Sequence, residues 1–132
     1  MQRISELERA YANEALDGQF KSESSYKMVA RLESAFAYKM NTKYAIAFVN
    51  GTATLHIALE AAGVSFGDEV IVPPLTMSSP AIAVLQANAI PVFADVGERT
   101  FVITANEIEK RITKRTKAVI VVSLYGLMPD MD

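Results

Sequence analysis

Apolar residues recur along this chain in two rhythms. Through residues 26–40 they return every third or fourth position, at Val29, Leu32, Phe36 and Met40, with Lys27, Arg31, Glu33 and Lys39 mostly elsewhere. That spacing predicts a helix with one apolar face. The stretch before it, Asp17 to Ser25, is polar and reads as a loop, and the first sixteen residues read as a short helix or an arm. From residue 44 onward, short apolar runs alternate with longer helical patterns. Tyr44–Val49, Glu69–Val72, Pro91–Asp95 and Ala118–Val122 are predicted strands; Ala53–Ala62, Ser79–Asn88 and Thr104–Ile112 are predicted helices.

Punctuation residues support these bounds. Gly63 is placed to cap the helix before it, Phe66-Gly67-Asp68 to turn, and Pro73-Pro74 to stop a strand. Ser79–Asn88 is apolar on nearly all sides, which predicts burial between layers, and Pro80 suits its first turn. Thr104 reads as an N-cap, with Glu107 completing a capping box. Strands alternating with helices predict an α/β fold: βαβ units with right-handed crossovers and a parallel sheet covered on both faces, in three αβα layers. The domain organisation expected is an arm and loop over 1–25, then one α/β domain over 26–132. The chain stops soon after an apolar strand, where another helix is expected. It therefore reads as cut rather than finished, and its bare apolar faces predict self-association.

Composition narrows the classes. Hydrophobic residues make up 51% of the 132 residues and charged residues 21%, with 13 basic against 15 acidic groups. That balance gives no electrostatic reason to expect nucleic acid or an anionic membrane as partner. Apolar runs such as Ala118–Val122 fall far short of the roughly twenty residues a membrane span requires, and the charged N-terminus has no signal-peptide core. There is no cysteine and one histidine, so neither a disulfide framework nor a zinc site is expected, and a cytoplasmic location is.

The segment richest in chemistry is Asn50-Gly51-Thr52-Ala53-Thr54, between a predicted strand and a predicted helix. Amides at a helix start have no acceptor inside the helix, and the helix dipole favours an anion there. Gly51 allows a sharp turn and a close approach, and Thr52 and Thr54 add hydroxyls. In an open α/β sheet this place lies at the carboxyl edge, where ligands bind. Taken alone, the turn equally fits an ordinary strand-to-helix connection with Thr52 as N-cap. It lacks the Gly-Lys-Ser/Thr of a nucleotide loop and the further glycines of a dinucleotide fingerprint.

Several blocks together carry a resemblance. They are Asn50 to Leu59, Gly67 to Pro73, Ala89-Ile90-Pro91-Val92-Phe93-Ala94-Asp95-Val96, Thr113 to Ala118, Leu124-Tyr125-Gly126, and Asp130-Met131-Asp132. In order and spacing this set resembles the DegT/StrS family of sugar aminotransferases, which depend on pyridoxal 5'-phosphate (PLP). The resemblance implies the aspartate-aminotransferase type of large domain (fold type I) and a homodimer. It also implies transfer of an amino group from a glutamate-type donor to a keto group on a nucleotide-linked sugar. It places Gly51, Thr52 and Ala53 on the cofactor phosphate and Met77 where relatives carry an aromatic residue over the cofactor ring. For Met77, cofactor contact and core packing both stay open. Two departures, Ser123 in place of a histidine and Gly97 in place of an acid, leave the sugar unassigned.

The family's Schiff-base lysine is expected beyond Asp132, so no catalytic residue is assigned within the chain. The chain alone is expected to be inactive and not to retain PLP. Lys110, Lys114 and Lys117 read as solvated, as does the mixed-charge set of Arg31, Glu33, Lys39 and Lys43, and the Glu107–Arg115 run reads as a helix face with its loop. His56 reads as a partly packed structural residue and Asp95 as a loop acid. Ser22-Glu23-Ser24-Ser25 would border the substrate side of a dimer by the same resemblance. Two other readings remain: a sugar dehydratase relative with histidine in place of the lysine, and a non-catalytic fragment that binds phosphate-bearing ligands or dimerises.

Overall fold

A computed structural model describes residues 4–18 and 22–131. The chain divides into two compact units, Met1–Ala47 and Phe48–Asp132.

In the first unit, helix α1 (Glu6–Asp17) starts on an unpredicted capping box whose pattern, Ser5-Glu6-Leu7-Glu8, the sequence carries. The Ser5 hydroxyl accepts the Glu8 amide, and the Glu8 carboxylate accepts the Ser5 amide at 2.6 Å. Helix α2 (Ser22–Met40) starts earlier than predicted, so Ser22 to Ser25 are helical and not loop; residues 19–21 of the expected loop lie outside the described residues. Serine and glutamate suit a helix start as well as they suit a loop. Three members of the expected solvated set are engaged, among them Lys43, which lies over the Tyr44 ring. Arg31 donates to Glu14 at 2.7 Å and lies over the Tyr11 ring, tying α2 to α1, while Glu33 accepts the Ala47 amide at 2.8 Å.

The predicted strand Tyr44–Val49 does not form. Tyr44, Ile46 and Val49 are 73%, 72% and 89% exposed, and the segment joins no ladder among the described residues. Apolar character marks a segment that is able to pair, but a strand exists only where a neighbour supplies the hydrogen bonds.

The second unit is built on three parallel strands, β1 (Glu69–Val72), β2 (Ile90–Phe93) and β3 (Thr116–Val119), in the order β2-β1-β3. The central strand is buried along its whole length, as expected of a parallel strand covered on both faces. Its alternation sorts the core. Val70 and Val72 join Leu59, Val64, Val84 and Ile120 on one face; Ile71 joins Ala94 and Ile103 on the other. Pro91 sits on an outer strand, where its missing N–H is harmless. The β1–β3 register slips by one residue after Glu69, so that Glu69 pairs with Thr116 but Val70 with Ala118. Hence β3 starts two residues before its predicted bound, and the Ile120 amide extends the ladder to the Ile71 carbonyl.

Helices α3 (Gly51–Ala61) and α4 (Ser79–Gln86) pack beside each other, and both end in the same way. After α3, Gly63 takes φ +77° while its amide and that of Val64 return to Glu60 and Leu59; after α4, Asn88 at φ +57° and Ala89 return to Leu85 and Val84. This is the Schellman closure, in which one left-handed residue lets two orphan carbonyls be satisfied. The expectation that α4 is buried all round is corrected: Pro80, Ala83 and Val84 are buried, but Ile82 and Leu85 are exposed. Sequence apolarity marks a face as coverable without saying what covers it. Helix α5 (Ala105–Glu109) is shorter than predicted. Thr104 caps it by accepting the Glu107 amide, but the Glu107 carboxylate turns to Lys110 and leaves the capping box half made.

Candidate functional site

The α3 start is organised by Asn50 rather than Thr52, which corrects the N-cap reading. Asn50 is extended, and its Oδ1 accepts the Ala53 amide at 2.9 Å. Its carbonyl accepts both the amide and the hydroxyl of Thr54, at 3.2 and 3.1 Å. Asparagine outranks threonine as an N-cap, so the signal was present in the sequence beside a more conspicuous glycine. The first two helical amides, of Gly51 and Thr52, have no acceptor within the helix. Gly51 is exposed, and a Cβ there would meet nothing within 4 Å. The surface at Gly51 is therefore open.

Thr52 points across to the next helix. Its Oγ1 donates to Ser79 Oγ at 3.0 Å in a part-buried contact. Ser79 is the first residue of α4, reached from the carboxyl end of β1 through Pro73 to Ser78. The turn is thus tied to the segment that carries Met77. Met77 is 75% exposed, so within this chain it is no core residue. It lines an open groove of about 790 Å³ at the carboxyl ends of β1 and β3, with Leu75, Phe101, Leu124 and Tyr125. Gly51, Thr52 and Ala53 are not among the walls of that groove. Phe101 and Tyr125 hold φ +58° and +52°, a left-handed geometry costing about 1–2 kcal/mol for a residue with a side chain.

Of the remaining candidates, Ser123 lines the same groove as Met77. His56 Nε2 lies 3.4 Å from a Glu60 carboxylate oxygen one turn along and has no hydrogen bond. The Asp95 carboxylate accepts the Val96 amide at 2.8 Å, as a loop acid does. Ser123 donates to the Met128 sulfur at 3.1 Å. At Gly97 a Cβ would stand 2.8 Å from Thr100 Oγ1 and 3.2 Å from Thr104 Cγ2, so a larger residue there requires those threonine side chains to shift. Lys114 and Lys117 are exposed, and Lys110 pairs with Glu107. Arg115, read as part of a solvated run, instead reaches the buried Glu69. Among the described residues no cluster of three or more metal-ligating side chains occurs, and no helix is long and apolar enough to cross a membrane.

The chain matches the DegT/DnrJ/EryC1/StrS aminotransferase family over residues 2–132. A GDP-perosamine synthase of Caulobacter vibrioides is 45% identical over 130 residues, covering 98% of this chain and 35% of that protein. An aminotransferase from Psychrobacter cryohalolentis superposes with a TM-score of 0.86 at 34% identity, covering 99% of this chain and 33% of its own. NtdA from Bacillus subtilis, solved with bound cofactor PMP, superposes with a TM-score of 0.71 at 36% identity, covering 74% of this chain and 22% of its own. The chain therefore spans about a third of the length of the first two relatives. Its parallel sheet with flanking helices is an αβα portion of the fold type I architecture, of the aspartate-aminotransferase kind. The chain belongs to the DegT/DnrJ/EryC1/StrS aminotransferase family.

Proposed function

We propose that this chain is the N-terminal part of a PLP-dependent enzyme that moves an amino group from a glutamate-type donor to a keto group on a nucleotide-linked sugar. The observation that carries this reading is the open turn at residues 51–53, held beside the segment bearing Met77 by the Thr52–Ser79 contact. The turn suits a phosphate: two outward amides, a hydroxyl beside them, the positive end of a helix, and no acidic residue from 50 to 54. The amides of Gly51 and Thr52 would hold the phosphate, and the Ala53 amide would join them if the Asn50 carboxamide shared or yielded it. Met77 would offer its thioether to the ring, a soft contact with less orientation than an aromatic residue gives.

Bound there, the pyridoxal or pyridoxamine group supplies the electron sink and carries the amino group. The residues of this chain bind and orient it. Lys110, Lys114 and Lys117 are unsuited to hold it covalently, since the first is salt-bridged and the other two face solvent. In this reading the Schiff-base lysine lies outside residues 1–132, the isolated segment is inactive and retains PLP poorly, and the whole enzyme is a cytoplasmic homodimer.

The test is a titration of the full-length protein with PLP, followed by absorbance and by turnover of a nucleotide-linked keto-sugar with glutamate. Saturable binding that Thr52→Val weakens is the expected result. A full-length protein without saturable binding, or transaminase turnover by residues 1–132 alone, overturns the reading.

A further inference from the structure

Ser79 has no part in the site as the sequence outlined it, yet its hydroxyl meets that of Thr52 at 3.0 Å across 27 positions of chain. A hydroxyl carries one proton and two lone pairs. When two hydroxyls pair, one proton lies between them and the other is free to point elsewhere. Which of the two faces outward depends on the orientation of the pair, but one outward donor always remains.

Two neighbouring observations give this contact a direction. Thr54, two residues along the same helix start, folds its hydroxyl back onto the Asn50 carbonyl. That is the usual fate of a threonine in a first turn, and it removes the donor from any ligand. Thr52, the second residue of the helix, has no helical carbonyl four positions behind it, and its hydroxyl meets Ser79 on α4 instead. Nor does α4 use Ser79 as a cap: the N-cap position is Ser78, which makes no side-chain cap bond. The buried Pro80, with its fixed backbone angle, anchors Ser79 from the next position.

We propose that Ser79 is a positioning residue for the cofactor phosphate. It selects the Thr52 rotamer and, once the pair turns so that Ser79 donates to Thr52, leaves the Thr52 proton for the phosphate. The inference rests on the assignment of Thr52 to the phosphate made above. Without Ser79, the Thr52 hydroxyl loses its partner and its rotamer is no longer fixed.

A double-mutant cycle in the full-length protein tests this, with PLP affinity as the readout and thermal melting as a check on folding. Ser79→Ala is expected to weaken PLP binding about three- to tenfold, the effect of one hydrogen bond. Ser79→Thr, which keeps the hydroxyl, is expected to bind as wild type. Thr52→Val is expected to weaken binding further, and adding Ser79→Ala to it to change nothing, because Ser79 acts through Thr52. Normal wild-type binding with an undiminished Ser79→Ala variant overturns this inference alone. So does an equal loss from Ser79→Ala in both backgrounds, which marks a merely structural role. A wild-type protein that does not bind PLP overturns the phosphate assignment and this inference together.

Discussion

The Glu69 carboxylate, 4% exposed at the start of β1, is gripped by the Arg115 guanidinium through Nε at 2.9 Å and through one terminal nitrogen. Thr113 donates its hydroxyl to the other carboxylate oxygen at 2.5 Å. Burying a carboxylate is costly unless charge and hydrogen bonds replace its water, and here both oxygens are satisfied. Thr113 and Arg115 stand just before β3, so the contact fastens the amino ends of two strands where their register slips.

That grip carries a pH signature. The Glu69 carboxyl is held below the usual carboxylate range, chiefly by the Thr113 hydrogen bond, then by the Arg115 hydrogen bond and charge, against burial. A depressed folded-state value means the stabilisation is complete above the ordinary carboxylate range and is lost as pH falls through the lowered value. Glu69→Gln is expected to melt at a lower temperature than wild type at neutral pH, with the gap narrowing as the pH falls below the usual carboxylate range. Melting curves at several pH values measure this; a gap that stays constant into acid contradicts it.

The closure of α3 predicts a backbone penalty without a steric one. Gly63 sits at φ +77° with open space where a Cβ would go. Gly63→Ala is expected to cost about 1 kcal/mol in urea unfolding, from the left-handed geometry alone. No measurable loss would mean that this end of the helix re-forms in another way.

Asn50 separates stability from binding. Asn50→Ala removes the acceptor of the Ala53 amide and is expected to cost about 1 kcal/mol of stability. Asn50→Asp keeps the cap but sets a negative charge beside the proposed phosphate. It is expected to leave the melting temperature near wild type while weakening PLP binding by about tenfold or more. Unchanged PLP affinity in Asn50→Asp would remove the anion from this turn.

Met77 offers the converse experiment. Because its side chain is exposed, Met77→Phe is expected to leave stability unchanged. If the ring of the cofactor lies against it, an aromatic pair tightens PLP binding about three- to tenfold. Equal affinity in the two proteins places the ring elsewhere.

How much of this is legible in the sequence depends on the distance over which each feature is encoded. β1 stands at its predicted bounds because a turn and a proline fence a short apolar run, all within a few residues. Gly63 and Thr104 stand where predicted for the same local reason. The segment 44–49 misleads because its apolar character says nothing about whether a neighbour is present. Asn50 is masked by the glycine beside it, which is the more conspicuous turn residue. The roles of Ser79 and Arg115 are not legible at all. Their partners lie 27 and 46 positions away, and no periodicity links a serine or an arginine to a residue so distant.

Because the three strands run parallel, their carboxyl ends share one rim, and the Glu69–Arg115 grip occupies the other. Evolution can thus reshape the loops after the strands to suit a new substrate while the fastening beneath them stays untouched. Sequence drift among relatives should fall on the first rim outside the cofactor turn and spare the second.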